Sequence, residues 1–285
     1  MVATTTIAGA AKEMLLAPIY LYQGYKVKRD TVRLPEPEGE RHGRVKLTDA
    51  VQQITNDNDH TLSVMVVGDS AAAGVGSQTQ QDALAGQLIP ALQQQALGNQ
   101  GFGQQFATLS WSVQATTGHT SFDILRRLYV IPKPSQPLDV MVISVGVNDT
   151  TSKVAAAEWQ QRLEAIIAIA QRKFAVRQLI FARLPQMEQM PALPAPLSHF
   201  VASKAAKLDD ILQQVCHAHD GVTYMATDFA RMIDEHANGA PIDISVMFAD
   251  DGFHPSSLMY GYWAQQLAEL IAELFDPSAT RSSTA

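Results

Sequence analysis

The stretch LSVMVVGDSAAAG, residues 62–74, carries the strongest information about the fold. Its first six residues form a continuous apolar run with β-branched side chains, which predicts a strand buried on both faces. The small residues that follow predict a tight turn into a helix, with Ser70 at the turn. A buried strand that ends in this way is typical of a parallel sheet covered by helices.

The alternation of strand and helix continues along the chain. Four more apolar runs predict strands at residues 106–114, 138–145, 177–184 and 221–226. Stretches of helical composition or spacing follow the strands, at residues 80–97, 121–129, 155–173, 198–218 and 256–275. The sequence therefore predicts an α/β fold with a parallel sheet of about five strands and helices on both faces.

Composition excludes several classes of protein. The chain has 285 residues, a net charge of −7 and one cysteine, Cys216. A single cysteine excludes an intrachain disulfide framework and a zinc site made of cysteine pairs. The negative charge argues against nucleic acid as the main partner. These properties fit a globular protein of the size of an enzyme, and they leave its oligomeric state open.

The N-terminal residues lie outside the alternating pattern. Residues 14–22 are apolar but are interrupted by Pro18, and they are shorter than the roughly 20 residues of a membrane span. The stretch lacks the features of a signal peptide, so we expect a cytoplasmic protein. Basic residues follow at 26–33, so the segment is either a packed extension or a weak contact with an anionic membrane surface. Residues 33–48 are rich in charge, Pro and Gly, which predicts a linker or exposed loop.

Polar residues follow the predicted strands, where ligands of such sheets bind. A serine nucleophile needs a general base, most often histidine, and that histidine needs a carboxylate to orient it. Ser70 follows the first predicted strand, and Asp251 and His254 lie three residues apart before the last helix. Asp250 is a rival carboxylate for the same task.

Two further residues at strand ends are candidate oxyanion donors. Asn148 follows the strand predicted at 138–145, and its side-chain amide is able to donate a hydrogen bond into the same cleft. Gly118 follows the strand predicted at 106–114, where the backbone N–H of a glycine can approach a substrate closely. A nucleophile, a base with its carboxylate and a set of donors together predict acyl-transfer chemistry.

The chain resembles the SGNH hydrolases, also called GDSL-type esterases and lipases. The blocks that carry the resemblance appear in family order, as Gly68-Asp69-Ser70, Gly118, Gly146-Val147-Asn148-Asp149 and Asp251-Gly252-Phe253-His254-Pro255. The first block departs from the family pattern, since it reads GDSAAAG where the family has GDSL. The resemblance implies a three-layer α/β/α sandwich, similar to flavodoxin. The resemblance covers roughly residues 60–275. We predict a catalytic domain over residues 46–278, after an extension and linker at 1–45 and before a disordered tail at 279–285.

The resemblance also implies a role for each matching residue. Ser70 would be the nucleophile, His254 the general base and acid, and Asp251 the residue that orients His254. The oxyanion hole would consist of the N–H groups of Ser70 and Gly118 and the side chain of Asn148. No metal or cofactor is expected for this chemistry.

The expected function is hydrolysis of carboxylic esters of small molecules, with short to medium acyl chains. Thioesters, lysophospholipids and acetylated sugars remain alternative substrates for the same residues. Two other classes remain open, a catalytically silent ligand-binding module and a flavodoxin-like nucleotide or phosphate binder that uses residues 74–76 as an anion loop.

The proline-rich segment 184–196 follows the strand predicted at 177–184 and is therefore expected on the same edge as Ser70. We expect Met187, Met190 and Leu193 to form the wall of an acyl pocket, because flexible thioethers adapt to apolar ligands. A surface loop packed on its own side chains is the alternative.

Overall fold

The computed structural model describes residues 2–48, 60–152, 154–227 and 244–276. The predicted tail at 279–285 lies outside these ranges, and the predicted domain boundaries stay predictions.

One sheet forms the centre of the described structure. Its strands are β1 (His42–Lys46), β2 (Thr61–Gly68), β3 (Thr108–Ala115), β4 (Val140–Ser144), β5 (Gln178–Ala182) and β6 (Val222–Met225). Their order across the sheet is β1-β3-β2-β4-β5-β6, and all neighbouring pairs are parallel except β1 and β3. The five strands from β2 to β6 confirm the predicted parallel sheet.

Helices cover both faces of the sheet. In chain order they are α1 (Val2–Asp30), α2 (Ser70–Ala73), α3 (Leu84–Gly98), α4 (Gln100–Gln105), α5 (Ser121–Val130), α6 (Val147–Thr151), α7 (Ala156–Lys173), α8 (Leu197–His217) and α9 (Ser257–Leu274). Residues of α3, α4 and α9 share one buried core with the sheet, and residues of α5, α7 and α8 share the other. The chain is therefore a three-layer α/β/α sandwich, as expected.

The side chains of β2 show how the sequence produces these two cores. Val64 and Val66 belong to one core, whereas Met65 and Val67 belong to the other. Successive residues of a strand point to opposite faces of the sheet. A continuous apolar run is therefore needed to supply both layers at once.

Residues 33–48 differ from the predicted linker or exposed loop. His42–Lys46 form β1, which pairs antiparallel with β3 from Ser112 to Thr108. The chain before β1 also packs on the domain, since Pro37 is buried and its carbonyl accepts a hydrogen bond from Gln80. This segment is an edge of the sheet, and its polar composition reflects the exposure of an edge strand.

The helix α1 packs along α8. The rings of Tyr20 and Phe200 stack with their centroids 4.5 Å apart. The Gln23 side chain donates to the carbonyl of Ala195 at 2.8 Å and accepts from the N–H of Leu197 at 3.1 Å. Among the described residues, no helix combines the length and the apolar character required to cross a bilayer.

Candidate active site

Ser70 lies at the junction of β2 and α2, at the carboxyl edge of the sheet. Gly68 permits this tight junction, because a Cβ atom there would lie 2.5 Å from the carbonyl oxygen of Ser144 on β4. The Asp69 side chain caps α2 by accepting a hydrogen bond of 3.1 Å from the Ala71 N–H. Ser70 is therefore the first residue of a short, capped helix.

His254 connects Ser70 to Asp251. Its Nε2 atom lies 2.8 Å from the Oγ of Ser70, and its Nδ1 atom lies 2.5 Å from the Oδ2 of Asp251. An ionised carboxylate only accepts hydrogen bonds, so the proton of a neutral His254 belongs on Nδ1. Nε2 is then free to accept the proton of the serine hydroxyl, which is the arrangement that a general base requires.

Asp251 is buried and fully engaged by hydrogen bonds. Its Oδ1 accepts from the N–H groups of Phe253 at 2.9 Å and His254 at 3.0 Å. Burial acts to raise the pKa of Asp251, but the hydrogen bonds from the His254 side chain and from these two N–H groups outweigh it, so the pKa is lowered. The carboxylate is therefore ionised where it faces the histidine.

Backbone hydrogen bonds fix the loop that carries Asp251 and His254. The Ala249 N–H donates to the carbonyl of His254, and the Gly252 N–H donates to the carbonyl of Ala249, each at 2.8 Å. Gly252 has a φ of +64°, and a Cβ atom there would lie 2.9 Å from the backbone nitrogen of Ala192. Only glycine fits this close approach, which ties the loop to the segment after β5.

Asn148 and Gly118 follow the two strands that flank β2. The Asn148 side chain donates to the carbonyl of His119 at 3.0 Å, which joins the turn after β3 to α6. This bond uses one of the two amide hydrogens, so the other can still donate to a ligand. Gly118 has a φ of +83°, and a Cβ atom there would meet no atom within 4 Å. Their roles as oxyanion donors stay predictions.

Asp149 is not part of the hydrogen-bonded chain of Ser70, His254 and Asp251, and it makes a structural contact instead. Its side chain accepts from the Ser121 N–H at 2.9 Å and from the Ser121 hydroxyl at 2.7 Å, at the start of α5. Asn148 and Asp149 are adjacent in sequence, and both link α6 to the chain after β3.

The first prediction concerns Asn148. If its amide stabilises the oxyanion, Asn148→Ala lowers kcat about 10²–10³-fold, as expected for the loss of one such donor. Steady-state kinetics with p-nitrophenyl acetate measure this effect. Thr151→Ala on the same helix is the control, because its hydroxyl donates only to the carbonyl of Asn148 among the described contacts. A kcat for Asn148→Ala within threefold of the wild type would refute the role.

Glu36 supports the turn of Gly118, and sequence reasoning missed it. Its Oε1 accepts from the N–H of Thr117 at 2.7 Å and from the hydroxyl of Thr117 at 2.8 Å. Arg41 donates to the other carboxylate oxygen at 2.7 Å and to the carbonyl of Ala115 at 3.1 Å. Burial acts to raise the pKa of Glu36, but these hydrogen bonds lower it overall. No local pattern shows this contact, since Glu36 and Thr117 are 81 residues apart.

A cavity of about 70 Å³ opens beside Ser70 and His254. Most of its lining is apolar, and it lies at the ends of β2, β4, β5 and β6. The lining residues are Asp69, Ser70, Ala71, Ser144, Val147, Arg183, Pro185, Met190, Thr227, Phe248, Phe253, His254, Pro255, Met259 and Trp263. The cavity is therefore the natural place for a group bound next to the serine hydroxyl.

The structure separates the three residues predicted for the acyl pocket. Met190 lines the cavity, whereas Met187 and Leu193 are not among its described lining residues. Met187 is fully buried, and its sulfur accepts a weak hydrogen bond from the Thr150 hydroxyl at 3.8 Å. Leu193 packs against the core on the same side of the sheet. Two of the three side chains predicted for the pocket wall, Met187 and Leu193, thus pack in or against the core.

Several lining residues were not predicted. Phe253 and Pro255 lie within the quoted block around His254, so their sequence position was a usable signal. Met259 and Trp263 lie four residues apart on α9, a spacing that indicates burial but does not distinguish a core from a pocket.

The structure leaves no open anion loop at residues 74–76. Gly74 ends α2, and a Cβ atom there would lie 2.4 Å from the side chain of Ala83. Val75 is fully buried, and its carbonyl accepts a hydrogen bond from Tyr260 at 2.7 Å. A Cβ atom at Gly76 would lie 2.2 Å from the carbonyl oxygen of Pro255. This packing contradicts the phosphate-binding alternative.

Asp69 is a buried carboxyl group directly before the serine. Burial raises its pKa to about 6, although the hydrogen bond from Ala71 and the proximity of His254 act in the opposite direction. A carboxyl group whose pKa is higher in the folded state than in the unfolded state stabilises the fold at low pH. That contribution is lost as pH rises from about 4 to above 6.

The second prediction follows from Asp69. Asn can keep the cap on Ala71 but does not ionise. The Asp69→Asn variant therefore lacks the loss of stability that the Asp69 carboxyl group causes as pH rises. Relative to the variant, the wild-type free energy of unfolding should fall by about 2–3 kcal/mol between pH 4 and pH 7. Urea unfolding at both pH values measures it, with the exposed carboxylate variant Asp210→Asn as the control. A constant difference between the wild type and Asp69→Asn across this range would contradict the prediction.

The chain is similar to known proteins of one family. The model of the GDSL-like lipase/acylhydrolase family matches residues 66–262. GDSL-like esterase Rv1075c of Mycobacterium tuberculosis is 23% identical over 218 residues, which cover 76% of this chain and 64% of that protein. The chain thus spans less than two thirds of the length of this curated relative.

Two solved structures show the same fold. The lipase/acylhydrolase from Enterococcus faecalis has a TM-score of 0.52 and 18% identity, over 74% of this chain and 96% of that one. Est24, a carbohydrate acetylesterase from Sinorhizobium meliloti, has a TM-score of 0.52 and 15% identity, over 75% of this chain and 99% of that one. The matched residues span more than half of the chain and include β4, Ser70, Gly118, Asn148, Asp251 and His254. The chain belongs to the GDSL-like lipase/acylhydrolase family.

Proposed function

We propose that this protein is a serine esterase that hydrolyses carboxylic esters through an acyl-enzyme on Ser70. The observation that supports this most strongly is the continuous hydrogen-bonded chain from the Ser70 hydroxyl through His254 to Asp251. A nucleophile within reach of a base that a third group orients is the general arrangement for nucleophilic catalysis. Family membership supports the same chemistry.

The proposed reaction has two halves. Ser70 Oγ attacks the ester carbonyl while His254 Nε2 takes the hydroxyl proton, and Asp251 stabilises the imidazolium that forms. His254 then gives that proton to the leaving oxygen as the ester C–O bond breaks, which releases the alcohol and leaves the acyl group on Ser70. In the second half His254 removes a proton from water, which attacks the acyl carbonyl. Ser70 leaves with the proton, and the carboxylic acid departs.

Negative charge on the carbonyl oxygen must be stabilised in both halves. In the proposed site the N–H groups of Ser70 and Gly118 and the amide of Asn148 supply this stabilisation. Fixed donors of this kind give more stabilisation than water, because they do not have to reorganise as charge develops. The Asn148 bond to His119 and the Glu36 bonds to Thr117 hold two of these donors in place.

The cavity beside Ser70 supports a preference for short acyl chains. The volume of about 70 Å³ gives room for only a few water-sized groups, since a single one needs at least about 10–15 Å³. Acetyl and butyryl groups fit such a space, and much longer chains exceed it. Met190 lies on its wall and is the flexible side chain best suited to adjust its length.

The third prediction tests this preference with p-nitrophenyl esters of increasing acyl length. We expect kcat/KM to be highest for acetate or butyrate and at least about tenfold lower for octanoate, because methylenes that do not fit are rejected by 1–3 kcal/mol each. Met190→Ala should move the optimum to longer chains. Met187→Ala is the matched control, since it alters a core methionine and should leave the optimum unchanged. An optimum at octanoate or longer in the wild type would contradict the proposed preference.

A second set of substrates separates the leaving groups. Acetyl esters of an aryl alcohol and of a xylooligosaccharide, an acetyl thioester and a lysophospholipid present different leaving groups to the same serine. The substrate with the highest kcat/KM identifies the class. A folded wild type that hydrolyses none of them, and that a fluorophosphonate probe does not label, would instead indicate a silent binding module.

A further inference from the structure

The helix α1 has one face held by the rest of the protein. Tyr20, Gln23 and Val27 are half-buried on that face, and they contact α8 and the residues before it. The stacking on Phe200 and the two hydrogen bonds of Gln23 fix the orientation of the helix. Its opposite side is therefore presented outward in a defined way.

That opposite side is apolar. Its side chains are among the most exposed large hydrophobic groups of the described structure. They are Met14 (79%), Leu15 (80%), Leu21 (76%), Tyr22 (67%) and Tyr25 (64%), which we call the outer face of α1. At about 100° per residue these five positions fall within an arc of about 120°, on the side away from Gln23. A contiguous exposed apolar patch of this kind marks an interaction surface.

Basic residues border the outer face. Lys26, Lys28 and Arg29 are exposed in the last turns of α1, and Arg33 follows the helix. One acidic residue lies among them, Asp30, which pairs with Arg29 at 2.6 Å. The whole chain carries a net charge of −7, so the positive charge of this segment is concentrated locally.

The neighbouring helix adds to this positive charge. The Nζ atom of Lys204 on α8 lies 4.8 Å from the ring centroid of Phe200, which itself stacks on Tyr20. Lys204 thus adds positive charge on the side of α8 where Phe200 meets Tyr20.

We propose that the outer face of α1 binds the surface of an anionic lipid bilayer. Leucine and methionine side chains would enter the boundary of the acyl chains, and the two tyrosines would lie at the headgroups, where amphipathic rings are favoured. The basic residues would face anionic headgroups, each with a favourable contribution. Because its other face packs on α8, the helix would lie in the plane of the interface.

Charge complementarity favours lipid over a second copy of this chain. A second copy would bring an identical basic cluster to the outer face, whereas phosphatidylglycerol supplies the opposite charge. The proposal does not depend on the esterase activity.

Vesicle flotation with the full chain tests the proposal. We expect binding to phosphatidylglycerol vesicles about 100-fold tighter than to phosphatidylcholine vesicles, and weaker binding at high salt. Leu15→Ser/Leu21→Ser should lower the affinity for phosphatidylglycerol at least about tenfold, since it removes two buried leucine contacts. Leu97→Ser is the matched control, because Leu97 is 75% exposed at the end of α3 and should not contribute.

Thermal unfolding of each variant shows whether the fold is intact, and hydrolysis of p-nitrophenyl acetate reports separately on the proposed esterase. A wild type that fails to float with phosphatidylglycerol overturns the proposal, whatever its esterase activity. Equal binding by the wild type and Leu15→Ser/Leu21→Ser also overturns it. A wild-type dimer that is stable without vesicles, and that Leu15→Ser/Leu21→Ser dissociates, also overturns the proposal. The outer face of α1 would then bind a second copy of the chain.

Discussion

Ser70→Ala is expected to reduce ester hydrolysis by about 10⁶-fold and to abolish labelling by a fluorophosphonate probe. The Oγ atom is the proposed nucleophile, and removing the nucleophile of a serine hydrolase leaves only the effects of binding and of the oxyanion hole. The fold should be retained, because the cap of α2 joins Asp69 to the Ala71 N–H without the Ser70 side chain.

The best control for this experiment is Ser144→Ala. Ser144 lines the same cavity, but no described hydrogen bond joins its hydroxyl to His254. The variant should be labelled like the wild type and should keep most of its activity. If Ser70→Ala is still labelled and Ser144→Ala is not, the nucleophile has been assigned to the wrong serine.

Asp251→Asn is expected to lower kcat by about 10⁴-fold with little change in the fold. The two N–H groups of Phe253 and His254 would hold the amide oxygen in the position of Oδ1. The amide nitrogen would then face His254 Nδ1 and donate to it, which places the histidine proton on Nε2. In that tautomer His254 cannot accept the proton of Ser70, and loss of the correct tautomer has an effect of this size in serine hydrolases.

The neighbouring carboxylate provides the matched control. Asp250 is exposed, and the structure orients Asp251 toward the histidine. Asp250→Asn should therefore keep kcat within about twofold of the wild type. Kinetics over a range of pH would extend the comparison. Only Asp251→Asn should change the pH dependence of kcat/KM, because it removes the charge that contacts the histidine. If kcat falls more in Asp250→Asn than in Asp251→Asn, then Asp250 is the carboxylate that orients His254.

The parts of the site that follow local rules were predictable from the sequence. A buried apolar run shows that β2 supplies both cores, and parallel strands bring Ser70 and Asn148 to one edge. The three-residue spacing of Asp251 and His254 allows the observed contact within one loop. These features depend on neighbouring residues or on the general geometry of parallel sheets.

Other features depend on long-range contacts that no local pattern encodes. The run HGRVK has little apolar character, so β1 is recognisable only once β3 lies beside it. Glu36 gains its role from Thr117, far away in sequence. The choice between Met187 and Met190 depends on the path of the segment after β5, which packs the first into the core and the second onto the cavity.

The edge strand β1 also belongs to the sheet that carries the site. The family match begins at residue 66, within β2, and therefore excludes β1 altogether. A chain trimmed to the matched residues would leave β3 as a bare edge, with unpaired N–H and C=O groups along its length. Such an edge is a template for pairing with other chains. With β1 in place the sheet ends instead in a short strand that carries His42, Arg44 and Lys46 at exposed positions, and charged side chains on a short edge disfavour pairing with other chains.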